Sequence, residues 1–205
     1  DPLALCEILA TDREHLAAAA YRRYQSSLKA RGMVDFDDLL LCTEELFTRH
    51  PAVRRSEADR FDHVLVDEYQ DTNRLQAQIL LRLRPDGAGV TAVGDDAQSI
   101  YSFRGATVRN ILDFPAQFTL PARIVTLERN YRSTQPILDV SNTLIAAAGE
   151  RHAKRLWTDK PSAGQPQLVL VPDEAQQAHW VADQVLAHRE GGLRLKSQAV
   201  LFRTS

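Results

Sequence analysis

The chain has 205 residues, 44% of them hydrophobic and 25% charged, which is ordinary for a globular protein and leaves enough apolar material for one domain or parts of two. Lys plus Arg is 25 and Asp plus Glu is 27, so the net charge of -2 provides no global basic footprint of a nucleic-acid binder. A groove needs only a local basic lining, so the balance leaves that class open. Residues 12–30 lack Pro and Gly, are rich in Ala, Leu, Arg and Gln, and predict a helix that stops near Gly32. A second helix is expected from Asp35, an N-cap type, to Arg49, ended by Pro51. The short apolar run 63–66 ends in acids and predicts a buried parallel strand. Residues 75–83 follow as a helix, 89–93 as a buried strand closing on Gly94, 108–114 as a short helix and 123–127 as a third strand. A helix over 136–148 carries Pro136 in its first turn. After an irregular basic stretch come a strand (167–171), a helix (174–189) and a strand (198–202). This alternation predicts an α/β protein with a mainly parallel sheet.

Cys6 and Cys42 are far apart and make no C-x-x-C pair, which predicts two buried, reduced thiols. The His residues show no metal-ligand spacing. The longest small-apolar run, Leu16 to Ala20, is too short to cross a bilayer, and no signal-peptide pattern occurs. A cytoplasmic protein without a membrane partner is expected. The opening at Asp1 in helical sequence and the end at Ser205 directly after a strand are those expected of a piece of a longer chain.

Three strings carry chemistry. In the first, the run Val64-Leu65-Val66 leads into Asp67-Glu68. Ligands collect at the carboxyl ends of strands in doubly wound sheets. There an Asp can hold Mg²⁺ and a following Glu can take a proton from an attacking water. A solvated acidic turn is the bland alternative. The second string runs from Ala92 to Ala106: a strand, a Gly turn, polar groups, then Tyr101, Phe103 and Arg104. The Gln98 amide both donates and accepts, which suits sensing a phosphate. Tyr101 and Phe103 are either core residues or π-faces for unpaired bases. The third, Leu127 to Thr134, contains Tyr131 and Arg132; an Arg remains charged and can stabilise a transferring phosphoryl group. A helix N-terminus capped by Ser133 or Thr134 explains the same string.

Taken together, the strings resemble superfamily 1 helicases of the UvrD/Rep/PcrA kind. Asp67-Glu68-Tyr69-Gln70-Asp71-Thr72-Asn73 resembles their DExQDxN box, and Gly94 to Ala106 resembles GDxxQSIYxxRGA. Leu127 to Thr134 resembles the motif at the junction of the two motor domains. The resemblance implies a RecA-like sheet of the P-loop NTPase type with flanking helices, in parts of two motor domains. It implies Asp67 as magnesium ligand, Glu68 as general base, Gln70 as a polar link from nucleotide to neighbouring motifs, and Gln98 as phosphate sensor. Tyr101 and Phe103 would touch single-stranded DNA, Tyr131 would stack on adenine and Arg132 would reach the γ-phosphate. Phe103 departs from the Trp often found there, and the sequence leaves the role of Arg104 open.

Asp35 to Leu40 is similar to the segment that returns from an inserted subdomain, although an acidic first helix turn explains it equally. The stretch Arg151, Lys154, Arg155, Leu156, Trp157 is similar to the start of the second motor domain, either touching DNA backbone or forming a solvated charge run. The implied division is residues 1–35 for the end of an inserted helical subdomain, 36–130 for the latter part of the first RecA-like domain and 131–205 for the beginning of the second. The implied activity is ATP-dependent 3′-to-5′ translocation on single-stranded DNA with duplex unwinding. Mg²⁺ and ATP would be bound; single-stranded DNA, duplex junctions and repair or replication proteins would be partners. No Gly-Lys dipeptide occurs, so no G-x-x-x-x-G-K-[ST] phosphate loop is present and the isolated chain is expected to be inactive. The alternatives are the motor part of a helicase-nuclease subunit and a non-catalytic DNA-binding or assembly module.

Overall fold

The structure, a computed structural model, describes residues 11–162 and 164–202. Cys6 lies outside the described residues. The chain forms two compact units: one holds the chain up to Glu128 together with Leu144–Arg155, the other Arg129–Thr143 together with the chain from Leu156.

In the first unit α1 (Asp12–Ala30) begins where the Glu14 carboxylate accepts the Thr11 N–H at 2.7 Å, and it ends before Gly32 at φ +63°. Helix α2 (Phe36–Arg49) is capped as expected: Asp35 accepts from Asp38 N at 2.8 Å, and Asp38 accepts back from Asp35 N at 3.2 Å. Pro51 does more than end α2. It is the first residue of α3 (Pro51–Ala58), where its missing N–H is no loss. Cys42 is free but exposed, correcting the expectation of a buried thiol.

Strand β1 (Val64–Val66) pairs in parallel with β2 (Val90–Ala92), Val64 opposite Val90 and Val66 opposite Ala92. Between them runs α4 (Arg74–Leu83), with a reciprocal cap in which Asn73 and Gln76 each accept the other's N–H at 2.9 Å. Val64, Val66, Val90 and Ala92 pack with Tyr69, Ala77, Leu80, Ile111 and Phe114 into the core. The strand is not buried on both faces, as its unbroken apolar run suggested: Leu65 is 77% exposed, because alternate residues point to opposite faces. Helix α5 (Arg109–Asp113) brings Ile111 to this core.

Helix α6 (Gln135–Ala146) begins in the second unit, and α7 (Glu174–Glu190), capped by Asp173 accepting from Gln176 N at 2.8 Å, lies wholly within it. The further strands expected at 123–127, 167–171 and 198–202 do not form. Ile124, Leu168 and Leu201 stay exposed. An apolar run supplies only one side of a ladder, and among the described residues no neighbouring strand supplies the other.

Candidate active site

The acidic turn follows directly from β1. Asp67 Oδ1 accepts the Glu68 N–H at 2.9 Å, and Glu68 adopts a left-handed conformation with φ 50°, unusual for a side chain other than glycine or Asn. The conformation is held from the following turn: Tyr69 N donates to Val93 O and Asp71 N donates to Glu68 O, each at 2.9 Å. Tyr69 is buried edge-on to Phe114, with ring centroids 5.0 Å apart, and burial pushes its hydroxyl up to about 12. This aromatic stake fixes the turn while the carboxylates of Asp67 and Glu68 remain exposed.

Gln70, only 1% exposed, bridges this turn to the one after β2. Its Nε2 donates to Glu68 Oε2 at 2.7 Å, and its Oε1 accepts from Asp95 N at 2.9 Å. Gly94 makes room for that approach, since a Cβ there would lie 2.7 Å from Gln70 Oε1 and 2.6 Å from Ile111 Cδ1. Asp95 then accepts from Ala97 N at 3.0 Å and from Gln98 Nε2 at 2.8 Å. Glu68, Gln70, Asp95 and Gln98 thus form one hydrogen-bonded line.

Asp95 and Asp96 both pair with Lys154, at 2.9 Å in the case of Asp96 Oδ1. Burial draws the Asp95 carboxyl upward, but hydrogen bonds from Lys154 and Gln98 outweigh it and leave the group lowered. For Lys154 burial acts downward, and the two carboxylates outweigh it, so the ammonium is raised. Sequence reasoning placed no role on Asp95 or Asp96 and left Lys154 in a basic run. The partners are nearly sixty residues apart, beyond the reach of periodicity.

Tyr101 and Phe103 are not core residues. Phe103 is 76% exposed, and the two rings lie 5.5 Å apart with the Arg104 guanidinium over both, at 5.8 and 5.6 Å. The loop is fastened to the first motif: Ser99 Oγ donates to Gln70 O at 3.3 Å, and Ala106 bridges to Asn73. Buried Asn110 donates from Nδ2 to Thr72 O at 2.9 Å. The rings and Arg104 border a cleft of about 640 Å³ with Asp71, Asn73 and Gln76.

Tyr131 and Arg132 belong to the second unit. Thr134 directly precedes α6 and its carbonyl accepts the N–H of Leu138 at 3.2 Å, while the turn before it is held by Asn130. Asn130 Oδ1 accepts the N–H of Arg132 at 2.9 Å and of Ser133 at 2.7 Å, while Asn130 N donates to Trp157 O at 2.7 Å. Arg129 pairs with Asp159 and lies over the rings of Tyr131 and Trp157, at 5.1 and 5.4 Å. The Tyr131 and Arg132 side chains are both exposed.

Among the described residues no group of three or more His, Cys, Asp or Glu is gathered around a metal position. Mg²⁺ does not require one, since it keeps waters and is held by one or two carboxylates with substrate phosphates. The exposed Asp67 fits that pattern.

The UvrD/REP helicase N-terminal domain matches residues 4–119, and the UvrD-like helicase C-terminal domain matches residues 125–205. The ATP-dependent DNA helicase PcrA of Staphylococcus epidermidis is 36% identical over 93% of this chain and 26% of its own length. The ATP-dependent DNA helicase UvrD1 of Mycobacterium tuberculosis is 40% identical over 100% of this chain and 28% of its own. The chain therefore spans about a quarter of the length of these relatives. With a RecA-like α/β architecture and more than half its residues inside the N-terminal domain match, this chain belongs to the UvrD/REP helicase family.

Proposed function

We propose that this chain is the central part of an ATP-driven DNA helicase motor, coupling ATP hydrolysis to 3′-to-5′ movement on single-stranded DNA and to duplex unwinding. The observation that carries this reading is the line Glu68–Gln70–Asp95–Gln98, whose last member lies three residues from exposed Tyr101. A phosphate site and a base-stacking site on one short loop are what coupling requires.

In this reading Glu68 takes the proton of the attacking water, with its rotamer held by Gln70. Asp67 would hold Mg²⁺, which when bound neutralises phosphate charge. Gln70 links the nucleotide to the loop, and Gln98 reports the state of the γ-phosphate. Tyr131 presents a ring for adenine, and Arg132 supplies positive charge to the transferring phosphoryl group. Tyr101 and Phe103 stack on unpaired bases. Residues 1–35 are assigned to the end of an inserted helical subdomain, 36–130 to the latter part of the first motor domain and 131–205 to the beginning of the second. Duplex junctions, repair or replication proteins and a cytoplasmic setting complete the proposal.

The test is steady-state ATPase of the intact parent protein, with and without single-stranded DNA, alongside its Glu68→Gln variant. Turnover should fall by ~10²–10⁴-fold while ATP and DNA still bind, because the amide keeps the shape but cannot take the proton. Unchanged turnover in the variant would remove Glu68 from the reaction.

A further inference from the structure

Lys154 lies in the basic stretch that the sequence leaves as a DNA-backbone contact or a solvated charge run, yet its side chain is only 14% exposed and its ammonium lies between two carboxylates. It donates to Asp95 and, at 2.9 Å, to Asp96 Oδ1, whose side chain is 6% exposed. Asp95 is also the acceptor for the Gln98 amide at 2.8 Å, and its N–H meets Gln70 at 2.9 Å. Neighbouring contacts repeat the attachment. His152 N donates to Asp96 Oδ2 at 3.2 Å, the His152 ring meets Ile111 O at 3.1 Å, and Glu150 pairs with Arg109. Residues 150–155 thus form a strap over the loop that carries Gln98.

Two adjacent carboxylates turned into a half-buried site repel one another unless a cation compensates them. With Lys154 removed, Asp95 and Asp96 are left unpaired in a site where water cannot fully replace the ammonium. Asp95 can then rotate away or take a proton, and either change withdraws the acceptor that orients Gln98. Arg at this position keeps the charge, and its planar fork can still reach a carboxylate.

We propose that Lys154 is a positioning residue for the hydrolysis site, holding the Gln98 amide in place through Asp95. The inference rests on the motor reading of Gln98.

The experiment uses the intact parent protein, with Lys154→Met, Lys154→Arg, Gln98→Ala and the Lys154→Met/Gln98→Ala pair. It reads kcat and KM for ATP in DNA-stimulated hydrolysis together with Tm. Lys154→Met should lower kcat on the order of tenfold, the size of coupling found within one hydrogen-bonded network, with KM for ATP little changed. Lys154→Arg should restore most of it. In the Gln98→Ala background Lys154→Met should add almost nothing, a non-additivity that a general loss of stability does not produce. Should the Met variant not fold, Lys154→Gln, which keeps a donor without the charge, is read in the same way. Wild-type turnover in the folded Met or Gln variant overturns the inference alone, as do effects of the two sites that simply multiply. A parent protein with no DNA-stimulated ATPase overturns the motor reading and this inference with it.

Discussion

Oε2 of Glu68 lies 2.7 Å from Nε2 of Gln70, so an exposed carboxylate in a left-handed turn is held by an amide that is itself buried. The other end of that amide accepts from Asp95 N, so the Gln70 side chain links the two acidic loops. Its position depends on Gly94, the residue whose missing side chain gives it space.

Gly94→Ala should therefore destabilise the fold by ~1–3 kcal/mol, the usual range for overpacking a filled site. The added Cβ would meet Gln70 Oε1 and Ile111 Cδ1 well inside normal contact, at 2.7 and 2.6 Å. Gly149→Ala is the control, since nothing lies within 4 Å of a Cβ there. Thermal unfolding of the parent protein compares the two, and an equal Tm for both variants would show that Gln70 has room to move.

Changing Tyr101 and Phe103 together to Ala should weaken single-stranded DNA binding by roughly 2–6 kcal/mol at most, from two stacking contacts of ~1–3 each. Because both rings are exposed, Tm should change little. Fluorescence anisotropy with a labelled oligonucleotide, paired with a melting curve, measures both. Unaltered affinity would leave these rings without a DNA role.

Arg132→Ala should slow ATP hydrolysis, by at most the ~10³–10⁵-fold seen where a single arginine acts alone. The turn itself should survive, because Asn130 holds the backbone N–H groups of Arg132 and Ser133 without the guanidinium. Normal turnover at saturating ATP would make Arg132 a bystander.

The Lys154 pair also predicts a pH response. Asp95 is held below its ordinary value, so its contribution is present above about pH 4 and is lost as pH falls through the folded value. Lys154 is raised, so its contribution is present below about pH 10 and is lost as pH rises through the folded value. Between those limits the pair should add a constant stability. Acid titration of the folded parent protein against Asp95→Asn checks the lower limit: the variant should be less stable at neutral pH and lose less on acidification. Parallel curves would show that Asp95 titrates alike in folded and unfolded chains.

What the amino-acid sequence determined by itself was local. The cap at Asp35, the stop at Gly32 and the short strand before Asp67 follow from propensity and hydrogen-bonding chemistry within a few residues. The three motif strings were legible for the same reason, as each is contiguous. Tertiary structure decided the rest. Periodicity marked 123–127, 167–171 and 198–202 as strands, but a strand exists only with a neighbour to pair with, and none lies beside them among the described residues. The exposure of Phe103 could not be told from burial by spacing alone, because an aromatic pair suits either. Lys154 was one cation in a basic run until the fold set it between Asp95 and Asp96, since a charge takes its meaning from what lies within a few ångströms and not from its neighbours in the chain.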